Sequence, residues 1–438
     1  MTGLRDRLPF SFPVQDAVER PAAHQTFLVW ALGFGALGLA WSVTTVSAFL
    51  PTVLGQFTSS STLIGLVLAS EGVFALILPL LIGPLSDATR TPLGRRRPYM
   101  LFAVGPMAIS LALLAFMPNL WATAFIFFSF AFAYYIYEPP YRGLYPDRIN
   151  DHHYGRAQGA QHMMRGAALG LALVLGPLLL AVWTPFPFVV AAIIALVSCT
   201  VVIILVREPQ LPDRQFDQKK RSYLATPFRI VRDHKPVRWF LIVNTAWEAT
   251  FAGMRTFVVL YITVGLNQSL SLSSAVLAVV GLGYLIAAAV SGRLGDKFGL
   301  GRVTFGASVV YGLGMLGATF ATNWHGWYFG PILFISIAGG TVMTLAWALL
   351  FKVMPGSDRG AVSGLAIMTK GLGLLIGPIL VGITIDVAGT FLQSTEGFAA
   401  MWVIVALPVL LVLPYVAQLS GVERKLRSVE PPEPQPAG

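Results

Sequence analysis

The chain has 438 residues, of which 55% are hydrophobic and 11% charged, and its formal net charge is +10. Soluble domains carry roughly 25% charged residues, so a water-soluble globule is excluded, and a mean hydropathy of +0.71 excludes disorder. The single cysteine, Cys199, excludes a disulfide scaffold and a cysteine metal cluster.

Residues 1–25 contain Arg5, Asp6, Arg7, Pro9, Pro13, Asp16, Glu19 and Arg20, without an apolar core or a small-residue cleavage site. They read as a cytoplasmic segment, not a cleaved signal. A bilayer core of ~30 Å needs about 20 apolar helical residues. Twelve such runs follow, centred near Leu39, Ala75, Ile109, Phe130, Leu171, Ile194, Phe251, Val280, Val310, Gly340, Leu372 and Ile404. They predict an all-α integral membrane protein with 12 transmembrane helices in two pseudo-symmetric six-helix bundles, residues 26–206 and 238–420. A polar cytoplasmic linker, 207–237, separates them, and a Pro-rich disordered tail, 421–438, follows.

Lysine and arginine test this count. Every second inter-span loop holds none. The other side holds Arg90, Arg95, Arg96, Arg97, Arg148, Arg156, Arg293, Lys297, Arg302, Lys352 and Arg359, with the linker and both termini. This is the positive-inside pattern, which puts both termini in the cytoplasm of a cell-membrane protein. The basic charge therefore faces anionic lipid rather than nucleic acid.

The halves repeat. Gly83-Pro84-Leu85-Ser86-Asp87 follows span two, and Gly292-Arg293-Leu294-Gly295-Asp296 follows span eight. Gly155, Gly159, Arg165 and Gly166 of span five match Gly360, Gly364, Lys370 and Gly371 of span eleven. Internal repeats are a transporter signature, because two similar bundles can rock about a midplane site. The Gly-x-Leu-x-Asp loop with downstream arginines resembles the loop signature of the major facilitator superfamily, which implies the major facilitator fold. In such a loop the aspartate faces a helix N-terminus and the arginines grip carboxylates or lipid phosphates. The gating candidates are Gly83, Asp87, Arg95, Arg96, Arg142, Asp147, Asp296 and Arg302.

Two literal dinucleotide fingerprints, at Gly33-Phe34-Gly35-Ala36-Leu37-Gly38 and Gly312-Leu313-Gly314-Met315-Leu316-Gly317, lie inside spans rather than after strands. They read as small residues for close helix contact. No phosphate loop and no metal-ligand spacing is present, so no cofactor or metal is expected. His152 and His153 fall in a cytoplasmic turn.

Charge at mid-depth carries the functional signal. At 1.5 Å per residue, ten residues reach ~15 Å into the bilayer. Glu71 in span two, Glu138 in span four, Arg165 in span five, Glu248 in span seven and Lys370 in span eleven all reach that level. Each costs ~2.5–3.5 kcal/mol on insertion scales if left alone. They must share a polar cavity or form inert pairs. Glu138 and Arg142 are spaced to pair on one helix face, and Glu248 and Arg255 lie two turns apart on another. Tyr134, Glu138 and Tyr141 follow i, i+4, i+7, and Gln158, Gln161, His162 and Arg165 form a stripe. Trp41, Asn244, Trp247 and Trp347 lie on inner spans. Aromatic faces with amides and charges suit a neutral polyhydroxylated solute.

The run Asp87-Ala-Thr-Arg-Thr-Pro-Leu-Gly94-Arg-Arg-Arg-Pro98 resembles the expanded loop of the glycoside–pentoside–hexuronide:cation symporters, closest to the sucrose-transporter branch. Pro140-x-Arg142-x-Leu144-x-x-Asp147 resembles that branch as well. Glu138 matches the span-four acid that binds sugar in the melibiose branch, and Arg165 and Lys370 resemble that branch's basic residues. Its two sodium-site aspartates correspond here to Pro79 and Ala75, and the plant sucrose carriers' proton-linked aspartate to Ala131.

The resemblance implies proton-coupled symport of sucrose, maltose or a related glucoside by alternating access. A hard cation wants several oxygen ligands, whereas a proton needs one carboxylate. Glu71 and Glu138 are the candidates for proton coupling, with His162 beside them. The expected partners are a small sugar and the lipid bilayer, and a monomer is expected. A proton-driven exporter, a carrier of a non-sugar polar solute, and a non-transporting assembly or receptor protein are the alternatives. No nucleophile–base set suggests an enzyme.

Overall fold

The computed structural model describes residues 22–149, 154–206, 208, 231–354 and 359–429. Within them the chain is helical and contains no strand. The first six long helices are α1 (Ala22–Leu54), α2 (Ser61–Ala88), α3 (Arg97–Leu113), α4 (Leu120–Arg148), α5 (Tyr154–Val182) and α6 (Phe186–Leu205). The second set is α7 (Lys235–Leu260), α8 (Leu270–Phe298), α9 (Leu300–Ala318), α10 (Phe329–Val353) and α11 (Arg359–Gly389), then α12 (Met401–Leu411) and α13 (Leu413–Val429). Each predicted span centre falls in its own helix.

Ten stretches are long and apolar enough to cross a membrane. The exceptions are α7, which carries Glu248 and Arg255, and the glycine-rich α9. The twelfth span is one apolar stretch, Phe398–Leu426, folded as two helices that meet at Val412. Pro414 explains the break, because it has no N–H for the carbonyl four residues back and its ring crowds that carbonyl.

Helix starts on the face opposite the arginines are capped by short polar side chains. Ser60, Asn119 and Ser269 accept from the backbone N–H of Leu63, Ala122 and Leu272. On the arginine-bearing face, Gly94 and Gly299 hold φ of +106° and +96°. A side chain is strained there, so these glycines permit the turns that lead into α3 and α9.

In the first half, α1 lies along α5 and α6, while α3 packs on α4 and α6. In the second, α10 lies along α8 and α9, and α7 along α11 and α12. The halves meet mainly through α2 with α11 and α5 with α8. A Cβ on Gly65 would stand 2.2 Å from the Pro378 carbonyl oxygen, and one on Gly72 would stand 2.7 Å from that of Gly371. Two backbones in such contact need glycine. These approaches run from the unarginylated face to mid-depth. Towards the arginine-bearing face, an added Cβ on Gly83 or Gly292 would meet nothing within 4 Å.

Candidate functional site

Helix α4 has two polar faces. One holds Tyr134, Glu138 and Arg142, four residues apart. Arg142 donates from Nε and Nη2 to Glu138 Oε1 at 2.9 and 2.6 Å. The carboxylate is 10% exposed and the guanidinium 46%, so the arginine forms the open side of the pair. The other face holds Tyr137, Tyr141 and Tyr145 with stacked and edge-on rings. Tyr137 donates to the Cys199 carbonyl at 3.0 Å, and Tyr141 to the Leu32 carbonyl at 2.5 Å.

Tyr141, placed by its spacing with Tyr134 and Glu138, gives its hydroxyl to the Leu32 carbonyl and meets that of Tyr145. Three residues beyond Glu138 it stands about 60° away around the helix, whereas Tyr137 and Tyr145 flank it by about 40°. Its hydroxyl serves the contact between α4 and α1.

Four other helices bring charge to the same level. Glu138 stands in electrostatic reach of Arg142, of Lys370 on α11 and of Arg165 on α5. Glu248 on α7 is in reach of Lys370, Arg255 and Arg165. Glu71 on α2 accepts a hydrogen bond from Tyr135 at 3.1 Å, and Tyr134 faces both Glu71 and Glu138. The five predicted mid-depth charges thus form one connected field. Among the described residues, Glu138 and Arg142 form an ion pair within it at contact distance. Among the described residues Arg255 and Glu248 interact at a distance rather than as a contact ion pair. The Arg255 guanidinium lies 5.7 Å from the centre of the Phe251 ring.

The remaining candidates divide. Gln161 is buried beside this field, on the stripe that carries Arg165. Asn244 donates to Thr369 at 2.6 Å, tying α7 to α11. Trp247 is 0% exposed and Trp41 is buried, so both lie in packing. Trp347 is exposed and meets Phe351 at 6.0 Å rather than the charged residues. The side chains of His162, Gln158 and Asp87 lie outside the described residues. Asp296 and Arg302 are exposed on the arginine-bearing face.

On that face the gating candidates join a network. Arg95 and Arg96 donate to Asp147 at 2.5 and 2.6 Å. Glu208, a residue that spacing did not reveal, accepts from the backbone N–H of Arg95, Arg96 and Arg97 at 2.7 to 3.0 Å. It caps the first turn of α3, where the helix dipole favours an anion. Replacing Glu208 with glutamine removes about 1–2 kcal/mol of that interaction. A thermal denaturation scan should show a melting point lower by a few degrees, and an unchanged melting point would refute the cap.

On the opposite face sequence reasoning also missed Asp386, near the end of α11. It accepts from the Ser60 hydroxyl at 2.7 Å and from the backbone N–H of Ser61 and Thr62 at 2.6 and 2.9 Å. One carboxylate thus caps the first turn of α2 across the boundary between the halves. The available signal was an acid placed level with the capping serines that open span two.

The description Major Facilitator Superfamily belongs to a family model that matches residues 32–275 and 249–437. The uncharacterized MFS-type transporter YceJ of Bacillus subtilis (strain 168) is 20% identical over 364 residues, spanning 81% of this chain and 87% of its own. A mutant of the nucleoside transporter NupG superposes with a TM-score of 0.74 at 15% identity, covering 90% of this chain and 99% of its own. A bacterial homolog of the human lysosomal transporter Spinster, inward-facing and unoccupied, gives 0.73 at 15% identity, covering 93% and 99%. At these identities the structural likeness concerns the fold.

Proposed function

The chain belongs to the major facilitator superfamily, and from that premise we propose that this multi-pass membrane transporter imports a small saccharide together with a proton. The observation that carries the proposal is the Glu138–Arg142 pair, set in a charged field fed by helices of both halves. Hydroxyl groups need donors and acceptors in place of water, and this field offers both. An apolar solute would leave the same charges desolvated and unpaired, which costs several kcal/mol.

The arginine-bearing face is the cytoplasmic one on the positive-inside rule. The packed contacts of α2 with α11 and α5 with α8 then close the outside, and the state is inward-open. In that state Arg142 occupies the Glu138 carboxylate, as it would after a proton has left. In the outward-open state a proton takes the place of the arginine, and Arg142 is released towards the sugar. Arg165 and Lys370 hold sugar hydroxyls and set the balance between the two states of Glu138. The protein works as a monomer in the cell membrane, with both termini in the cytoplasm and H+ as the coupling ion.

Proteoliposomes with an acidic exterior test this reading. Labelled sucrose, maltose and other glycosides are offered in turn. One of them should accumulate at least about tenfold and leave again when a protonophore collapses the gradient. Accumulation of none of them by folded protein would overturn the saccharide reading.

A further inference from the structure

Helix α7 carries Glu248, Phe251 and Arg255 at i, i+3 and i+7, on one side. Glu248 ties that side to the charged field, being in electrostatic reach of Lys370 and Arg165. Phe251 thus stands at the edge of the field, between a carboxylate and a guanidinium. It is half-buried, and it belongs neither to the buried hydrophobic core nor to the partly buried side chains packed against that core. Tyr134, Tyr141, Trp41 and Trp247, the aromatic candidates from spacing, all lie in the core.

The Arg255 guanidinium sits over the Phe251 ring, 5.7 Å from its centre, where the negative face of the π-system attracts a cation. The ring also has a support. It meets Tyr284 of α8 at 5.9 Å in a tilted contact. A Cβ on Gly340 of α10 would stand 3.3 Å from the Tyr284 ring, and one on Gly339 would stand 2.7 Å from the ring of Tyr311 of α9. The glycine pair seats both tyrosines, and Phe251 rests against the first of them. Arg255 Nε and Tyr284 Oη are buried without a hydrogen-bond partner among the described residues, although the two side chains are in electrostatic reach of each other. A guanidinium only donates and a phenol oxygen accepts. Each therefore supplies what the other lacks once Arg255 leaves the ring.

We propose that Phe251 is the aromatic platform on which the ring of the carried sugar stacks, and that Arg255 covers it in the empty carrier and moves to the Tyr284 hydroxyl when the sugar arrives. The inference rests on the saccharide-import reading and names a residue that selects a sugar ring from other hydroxylated solutes. A pyranose presents polarised C–H groups on a face and hydroxyls around its rim. The C–H face suits the negative face of Phe251, while the rim meets Glu248 and the charges beyond it. A linear polyol brings the hydroxyls without the face.

Binding to the purified full chain tests it. Sucrose, maltose and methyl β-glucoside are offered in turn, and the sugar that binds most tightly is carried through the variants. Phe251→Leu, which stays apolar but has no π face, should weaken binding at least about tenfold. Phe251→Tyr, which keeps the ring, should stay within about threefold of the wild type. Tyr284→Phe, which removes the acceptor for Arg255, should weaken binding severalfold, and provides the second test if the leucine variant does not fold. Undiminished affinity in Phe251→Leu, or in Tyr284→Phe where the leucine variant does not fold, overturns the platform and leaves the import reading in place. An equal loss in the leucine and tyrosine variants does the same. Sugar binding that follows the expected order without proton-linked uptake overturns the import reading but retains the platform. Binding of none of the sugars by folded wild-type protein removes both.

Discussion

Glu138→Gln abolishes concentrative uptake, with accumulation falling at least about tenfold to the level set by equilibration. Glutamine keeps the shape of the side chain and can still accept from Arg142, but it neither takes up a proton nor carries charge. In the wild type, Arg142 grips Oε1 with two N–H groups. Glutamine leaves the half-exposed Arg142 without its counter-ion, and solvent screens the charge that remains. The neutral side chain therefore weakens the resting arrangement and removes the exchange between proton and arginine. Equilibrative exchange of sugar across the membrane should persist above background, which separates lost coupling from lost folding. Uptake by Glu138→Gln that still reaches the wild-type gradient would show that another group carries the proton. Glu71, bonded to Tyr135, is then the next candidate.

Asp386→Ala shifts the balance of states towards the one in which the α2–α11 boundary is open opposite the arginines. The carboxylate accepts from two backbone N–H groups and one hydroxyl of the other half. Hydrogen bonds to a charged group contribute about 1.5–3 kcal/mol. A net loss of about 2 kcal/mol changes the ratio of states by roughly 30-fold. Ala69 is 0% exposed and lies on the face of α2 that carries Gly65 and Gly72 towards α11. In a Cys199→Ser background, Ala69→Cys should react with an impermeant maleimide added outside at least tenfold faster when Asp386 is alanine. Asp386→Asn keeps one acceptor and should fall between. Equal labelling in all three backgrounds would show that Asp386 is not a latch between the halves.

The helices were legible because membrane spans need long apolar runs, and each run announces itself without its neighbours. Charges at mid-depth were legible for a related reason. Their desolvation cost requires a shared partner or cavity, and the helical rise gives their level. Faces were less legible. Tyr134 and Tyr141 differ by about 20° around an ideal helix, which places them in one stripe on paper. The Tyr141 hydroxyl is taken up by the Leu32 carbonyl on α1, and that carbonyl has no sequence signature. Pro414 marked the break in the last span, but an apolar run continues through it.

Glu208 and Asp386 show the largest gap. Both accept from backbone N–H groups at helix starts that are distant in the chain. Backbone donors leave no residue pattern, so such caps emerge only when the helices are placed together. The same holds for Tyr284 and Tyr311, which sit in apolar spans like any packing aromatic. Their unpaired hydroxyls distinguish them only in three dimensions.

The most direct test of proton-coupled import records proton entry itself. Wild-type protein is placed in weakly buffered proteoliposomes with a pH-sensitive dye inside, no gradient is imposed, and each saccharide is added outside. The account predicts that one solute acidifies the interior at once, in proportion to its own uptake. Uptake of that solute at a constant internal pH would contradict proton coupling.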